Sequence, residues 1–202
     1  MPRLEFPGRI IVITTEGEAE KAVNYLLTFP LLGIDTETRP SFRRRVSNKV
    51  ALLQVSTEDT CFLFRLNILG LSASIKRLLE SDVIKVGVSL HDDILMMGKR
   101  EKFKPGNFID LQQLIEQLGV KDKALRKMYA NLLGMNISKA QQLSNWEAPI
   151  LSDPQKQYAA IDAWACINLY NEITRLIQTH DYNIIPAEVR LTVVPEHVEE
   201  NR

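Results

Sequence analysis

The segment Leu31-Leu-Gly-Ile-Asp-Thr-Glu37 joins a short apolar run to two acidic residues that stand one position apart. An apolar run of this length is typical of a buried strand, and Arg39-Pro40 ends it because the residue before proline is pushed away from regular pairing. Side chains alternate along a strand, so Asp35 and Glu37 project from the same face, about 7 Å apart along the chain. The segment therefore predicts a buried strand that ends in a pair of carboxylates.

A second acidic motif, Tyr158-Ala-Ala-Ile-Asp162, lies far downstream. The preceding Ser152-Asp-Pro-Gln155 predicts a helix start, with the aspartate as the cap and proline at the first helical position. Residues four apart share a helix face, so Tyr158 and Asp162 lie on one side. Carboxylates and a phenol that meet at one point repel each other unless a cation is present, and hard oxygen ligands favour Mg²⁺ or Mn²⁺. The two motifs therefore indicate a metal-dependent phosphoryl-transfer site.

The chain between these motifs alternates short β-rich runs with helical patterns, which is typical of an α/β fold. The predicted strands cover 10–13, 31–37, 49–55, 60–64, 84–88 and 107–109; the predicted helices cover 17–28, 71–80, 90–97, 110–117, 123–133 and 154–178. Asp122 is expected to cap the helix over 123–133. From about residue 186 the periodicity is lost, so we expect one domain over 1–185 and a tail or small appended strand over 186–202.

The bulk composition indicates a globular domain: 202 residues, 45% hydrophobic, 25% charged and a formal net charge of zero. A neutral chain would have to hold a nucleic acid by local patches rather than by global attraction. Cys61 and Cys166 both lie in apolar segments, which favours buried reduced thiols. Together with the lack of any run of about 18 apolar residues, this predicts a soluble cytoplasmic protein, or a nuclear one if the cell is eukaryotic.

A third acidic segment is Val86-Gly-Val-Ser-Leu-His-Asp-Asp93, in which a predicted strand is followed by a predicted helix. Acids in a first helical turn are favoured by the helix dipole alone, and this accounts for Asp92. Asp93 gains a role from the combination of motifs described next.

Asp35, Glu37, Asp93, Tyr158 and Asp162, in this order, resemble the DEDD exonucleases, in the subgroup that has a tyrosine in the third motif. The likeness is to the exonuclease domain of the Werner syndrome protein type and, more distantly, to ribonuclease D. It covers roughly residues 28–178 and includes Val50-Ala-Leu-Leu-Gln-Val55 and Leu143-Ser-Asn-Trp146. The resemblance implies a ribonuclease H-like fold, with a five-stranded mixed sheet flanked by helices in a single domain.

The resemblance also implies a 3'-5' exonuclease that uses two divalent cations, Mg²⁺ or Mn²⁺, and releases nucleoside 5'-monophosphates. In the roles it assigns, Asp35 bridges both ions, Glu37 and Asp162 complete the first, and Asp93 supports the second partly through water. Tyr158 is expected to orient the attacking water rather than to act as a strong base, because a phenol titrates near 10. Trp146 is expected to be a packing residue.

Two groups of basic residues are candidate contacts for the substrate backbone. The first follows the acidic pair and comprises Arg39, Arg43, Arg44, Arg45 and Lys49; the second comprises Lys121, Lys123, Arg126, Lys127 and Lys139. A solvated loop or helix face is the alternative for both groups. The predicted substrate-binding residues are Thr36, Arg43, Arg44, Arg45 and Lys139. No base-reading chemistry is evident, so binding to DNA or RNA without sequence preference is expected.

Two other functions stay open at this point. A catalytically silent relative that binds nucleic acid or acts as a scaffold is the main alternative, although the intact set of acids argues against it. An endonuclease of the same fold is a second alternative. The residues do not decide between DNA and RNA, or between a single strand and a recessed duplex end.

Overall fold

The computed structural model describes residues 1–42 and 47–183 and is built around a mixed sheet of six strands. The strands are β1 (Arg9–Ile13), β2 (Leu31–Thr38), β3 (Val50–Ser56), β4 (Thr60–Arg65), β5 (Ile84–Gly87) and β6 (Phe108–Asp110), in the spatial order β1-β4-β3-β2-β5-β6. β3 runs antiparallel to β2 and β4, and the remaining neighbours are parallel. The predicted tail over 186–202 falls outside the described residues.

The expected α/β fold is confirmed, but the sheet has six strands and not five. All six runs predicted as strands along the chain are strands in the structure. β1 pairs along β4 over five residues, and β6 pairs with β5 over three. Each outer strand thereby satisfies backbone groups that a narrower sheet would leave unpaired at its edge.

Helices cover both faces of the sheet. They are α1 (Glu16–Leu26), α2 (Leu66–Leu69), α3 (Ala73–Glu80), α4 (Leu90–Gly98), α5 (Leu111–Leu114), α6 (Leu125–Leu133) and α7 (Asp153–Thr179). Helices α5, α6 and α7 share one hydrophobic core with the sheet, whereas α1, α3 and α4 share the other. No helix within the described ranges is both long and apolar enough to cross a bilayer.

Three predicted helix boundaries are corrected by the structure. Helix α6 begins at Leu125 with Ala124 as its cap, not at 123 with Asp122, because the Lys123 carbonyl accepts a hydrogen bond from Gln112 and so lies outside the helix. Ser152 caps α7, since its hydroxyl accepts from the Gln155 amide, and Asp153 is already helical. The predicted helix over 110–117 is the four-residue α5 followed by a 3₁₀ turn.

The contact between β2 and α7 is unusually close and sets the geometry of the site. A Cβ atom at Gly33 would lie 2.0 Å from the carbonyl oxygen of Ala163, a distance that no side chain tolerates. Ala159 and Ala163 on α7 are fully buried, and their small side chains let the helix approach the sheet. This approach brings the Asp162 turn of α7 to the strand that carries Asp35.

Candidate active site

Three carboxylates converge where β2 meets α7. One oxygen from each of Asp35, Glu37 and Asp162 lies within 4.8 Å of the other two. Asp35 and Glu37 share a face of β2, as the alternation of the strand predicts, and both stay partly exposed. Asp162 is buried, and its Oδ1 atom has no hydrogen-bond partner among the described residues.

Burial and mutual repulsion raise the pKa values of all three carboxyl groups. Burial and the charges of Asp162 and Asp93 raise the pKa of Glu37 to about 9. Burial raises the pKa of Asp162 to about 7, although Arg126 opposes the shift. The pKa of Asp35 lies well above its ordinary value through burial, followed by the charges of Asp162, Asp93 and Glu37.

Such a cluster is suited to a divalent cation. Neighbouring carboxyl groups cannot all ionise at once, because their negative charges repel each other. A cation that replaces the protons between them removes this repulsion. The orphaned Asp162 oxygen is a ready ligand, and an all-oxygen donor set fits Mg²⁺ or Mn²⁺ rather than a soft metal. Among the described residues this is the one cluster of its kind.

Asp93 lies beside this cluster rather than in it. It sits in the first turn of α4, and its Oδ1 accepts a hydrogen bond from the Thr36 hydroxyl, whose residue lies between Asp35 and Glu37. Burial raises the pKa of Asp93 to about 6. Thr36, predicted to contact substrate, therefore has its hydroxyl proton engaged with Asp93.

The start of α4 is held by Asp110, a residue that the sequence analysis did not single out. The Asp110 carboxylate accepts hydrogen bonds from the amides of Ser89 at 3.2 Å and Leu90 at 3.0 Å. Ser89 itself has a φ of 60°, in the left-handed region. Asp110 thus fixes the turn that delivers Asp93, and a strand-end aspartate before a helix is the sequence signal that marks such a cap.

Tyr158 is held from two sides, one helical turn before Asp162. The ring of the fully buried Trp146 packs against it with centroids 5.9 Å apart, as a packing role for Trp146 requires. Arg126 Nη2 donates a hydrogen bond to the Tyr158 Oη at 3.2 Å. Burial and the charges of Asp162 and Glu37 raise the pKa of the phenol above its ordinary value, so it remains neutral and able to donate a hydrogen bond.

A cavity of about 350 Å³ opens next to the acidic cluster. Its lining includes Asp35 and Asp162 together with Arg126, Lys127 and Lys139. Part of the second basic group therefore faces the acids, whereas Lys123 of the same group pairs with Glu116.

The first basic group is only partly described. Arg39 forms an ion pair with Glu147 at 3.3 Å, and Lys49 is exposed. Arg43, Arg44 and Arg45 lie outside the described residues, so their predicted contacts with substrate stay predictions.

Arg126 belongs to the second basic group and is thus a predicted candidate contact for the substrate backbone, but its place beside Tyr158 is not predicted from the sequence. A signal was present: Arg126 stands in the first turn of α6, where the helix dipole disfavours a positive charge. Nearby negative charge stabilises a cation at such a position.

The family model for 3'-5' exonucleases matches residues 10–178. The chain belongs to this family. The predicted membership of the 3'-5' exonuclease family is thereby confirmed, and the match spans every acidic motif described above. Within the family, the chain is 33% identical over 183 residues to exonuclease 3'-5' domain-containing protein 2 of Drosophila melanogaster. That alignment covers 87% of this chain and 31% of the fly protein.

Two further proteins with a 3'-5' exonuclease domain have a similar sequence identity to this chain. A 3'-5' exonuclease of Arabidopsis thaliana is 30% identical, over 87% of this chain and 67% of the plant protein. The bifunctional 3'-5' exonuclease/ATP-dependent helicase WRN of Mus musculus is 28% identical, over 89% of this chain and 14% of that protein. The chain thus spans a minor part of the fly and mouse relatives.

Solved structures share the fold. The Nibbler EXO domain of Aedes aegypti superposes with a TM-score of 0.76 at 21% identity, covering 86% of this chain and 91% of that one. Ribonuclease D of Escherichia coli superposes with a TM-score of 0.70 at 21% identity, covering 86% and 51%. The ribonuclease H-like fold expected from the resemblance is confirmed by these neighbours.

Proposed function

We propose that this protein is a metal-dependent 3'-5' exonuclease that hydrolyses the terminal phosphodiester bond of DNA or RNA and releases nucleoside 5'-monophosphates. The observation that carries the proposal is the convergence of Asp35, Glu37 and Asp162 within 4.8 Å, since two of them, Asp35 and Asp162, line a cavity that a substrate would enter. Family membership supports this reaction class, and the geometry of the acidic cluster supports the assignment of these residues.

The residues that would hold two divalent cations are Asp35, Glu37 and Asp162, with Asp93 beside them. Mg²⁺ or Mn²⁺ bound there would neutralise charge on the phosphate, favour the departing 3'-oxygen and lower the pKa of water towards neutrality. All four carboxyl groups must lose their protons to serve as ligands, and their raised pKa values make that step dependent on pH.

Tyr158 would orient the attacking water. Its ring is fixed by Trp146, and its neutral hydroxyl can donate a hydrogen bond while it accepts one from Arg126. The Thr36 hydroxyl donates a hydrogen bond to Asp93, and Asp35 lines the cavity. The chain thus positions the reacting groups, and proximity of this kind contributes a large part of a rate enhancement.

Lys139 and Lys127 supply positive charge on the cavity wall, as the binding of a phosphate backbone requires. Among the neighbours in fold, ribonuclease D of Trypanosoma brucei has been solved in complex with the RNA U12. That protein is 19% identical to this chain, so both RNA and DNA belong in the first test.

The test is the release of mononucleotides from matched DNA and RNA oligomers with free or blocked 3' termini, with Mg²⁺ or Mn²⁺ and with a chelator. Asp35→Ala removes a ligand of the metal site, and we expect at least a ~10³-fold loss of rate, because several kcal/mol of transition-state stabilisation disappear. Asp92→Asn is the matched control, since Asp92 is exposed in the same acidic segment and no role is assigned to it.

Two outcomes would contradict the proposal. Metal-independent hydrolysis, or an Asp35→Ala variant as active as the wild type, would show that the assigned site does not perform the chemistry. Binding of oligomers without any hydrolysis would favour the silent nucleic-acid-binding module instead. Cleavage of circular single strands would indicate an endonuclease.

A further inference from the structure

Arg126 projects from the first turn of α6 into the wall of the cavity that holds the acids. It lines this cavity together with Asp35, Asp162 and Lys139, and its side chain is partly buried. Its positive charge acts on both Glu37 and Asp162, which shows that the guanidinium lies near the acidic cluster. None of the established family features described above requires an arginine here.

The hydrogen bonds of this guanidinium are only partly used. Nη2 donates to the Tyr158 hydroxyl at 3.2 Å, whereas the buried Nε has no hydrogen-bond partner among the described residues. No ion pair within 4.0 Å joins Arg126 to a carboxylate in the described ranges. An arginine carries five N–H donors, so donors remain for a further acceptor.

A buried donor without a partner is costly, and a cation inside a cavity favours an anion. The guanidinium is planar, and its N–H groups match the oxygens of a phosphate in a bidentate arrangement. The anion that would enter this cavity is the phosphate of the substrate, which must reach Asp35 and Asp162 to react.

We infer that Arg126 is a catalytic residue of this site, whose guanidinium binds a non-bridging oxygen of the scissile phosphate while it holds the Tyr158 hydroxyl. The inference rests on the proposed function for its substrate and adds a phosphate contact that comes from the chain itself. The Arg126 side chain then both binds the phosphate and orients Tyr158.

A purely structural role is the competing explanation. In that case Arg126 only offsets the negative charge of Glu37 and Asp162, and its loss changes stability and metal affinity but not the recognition of phosphate. The two roles differ in whether the protein distinguishes a nucleoside 5'-monophosphate from the nucleoside without phosphate.

In the binding measurement, two variants of Arg126 and one control separate these roles. Arg126→Lys keeps the charge but loses the planar fork, and Arg126→Met removes the charge while keeping a long side chain. Arg175→Met is the control, because Arg175 pairs with Glu172 on α7 about 20 Å further along the helix from Asp162. Thermal unfolding confirms that each variant is folded at the temperature of the binding assay.

The first measurement is calorimetric binding of adenosine 5'-monophosphate and of adenosine to the protein with saturating Mg²⁺. We expect Arg126→Met to weaken binding of the monophosphate about 10- to 100-fold, as the loss of a charged hydrogen bond predicts, and to leave binding of adenosine unchanged. Arg126→Lys should fall between the wild type and Arg126→Met. Equal affinity of the wild type and Arg126→Met for the monophosphate would overturn the inference, as would a wild type that binds both compounds equally.

The second measurement is hydrolysis of the 4-nitrophenyl ester of thymidine 5'-monophosphate by Arg126→Ala, with and without millimolar guanidinium chloride. We expect guanidinium to restore part of the lost rate, whereas the same concentration of ammonium chloride should not, because only the planar cation can replace the side chain. Equal effects of the two salts would contradict a phosphate contact. If the wild type hydrolyses no ester at all, the proposed function fails, while the binding measurement still decides the role of Arg126.

Discussion

At the residue scale, the feature that matters most is a set of acids whose protonation is coupled. Glu37 and Asp162 have pKa values of about 9 and about 7, and burial and the neighbouring charges raise the pKa of Asp35 well above its ordinary value. The protein thus stores unfavourable electrostatic energy where a cation would bind. Such a trade between stability and function recurs at active sites in general.

Stability without metal should therefore fall as the pH rises. The folded pKa values of Glu37 and Asp162 exceed the ordinary values of 4.5 and 3.8, so the native state holds more protons than the unfolded chain between these limits. Once the pH exceeds these folded pKa values, Glu37 and Asp162 contribute least to the stability of the native state. Thermal unfolding in chelator from about pH 5 to 8 measures this slope.

The pH range of this measurement ends near pH 8 because a buried lysine titrates there. Burial lowers the pKa of Lys85 to about 8, and above that pH this lysine adds a slope of the opposite sign. Mg²⁺ should raise the unfolding temperature most at the high end of the window, where it displaces the fewest protons from the carboxyl groups that would bind it. Glu37→Gln should reduce the dependence of stability on pH. The expectation would be refuted if the wild type, measured in the presence of a chelator, became more stable as the pH rises.

At the element scale, the site depends on the spacing between one strand and one helix. Gly33 lies against the Ala163 carbonyl, and α7 reaches β2 only because neither side presents a large side chain. The strand and the helix were predictable from their local patterns. Their contact was not, since a glycine in an apolar strand has several meanings until its neighbour is known.

Gly33→Ala should separate β2 from α7. The added Cβ has no free space, so we expect a loss of about 1–3 kcal/mol or more in the free energy of unfolding, as overpacking causes. The shift should also misplace Asp162 and reduce the stabilisation by Mg²⁺. Denaturant titrations with and without Mg²⁺ measure both effects.

Gly17→Ala is the matched control for this substitution. Gly17 lies in α1, where an added Cβ meets nothing within 4 Å, and alanine favours a helix by about 0.5–1 kcal/mol. An equal response of the two variants would show that the close contact at Gly33 has no special importance.

At the scale of the whole molecule, charge is balanced overall and separated locally. The formal net charge is zero, yet Lys127 and Lys139 line the cavity next to the acids. Attraction of a nucleic acid would therefore depend on a few cations at the site and not on a field around the entire chain. The proposed binding should respond accordingly to salt.

Lys139→Ala should make the affinity for a single-stranded oligomer less sensitive to salt. The loss of one phosphate contact reduces the slope of log affinity against log salt by about 0.7. Lys21→Ala in α1 serves as the control, because this exposed lysine lies on the helix layer of the other core. Fluorescence anisotropy over a salt series provides the slopes, and an unchanged slope for Lys139→Ala would exclude the contact.

Local patterns in the sequence determined the α/β order of elements, the shared face of Asp35 and Glu37, and the helix that carries Tyr158 and Asp162. These features depend on residues close together in the chain, through strand alternation and helical spacing. Only the tertiary structure decided that Arg126 reaches Tyr158, that Asp110 caps α4, and that burial raises the pKa of Glu37 to about 9. Each of these depends on packing between elements far apart in sequence, and burial exists only once that packing has formed.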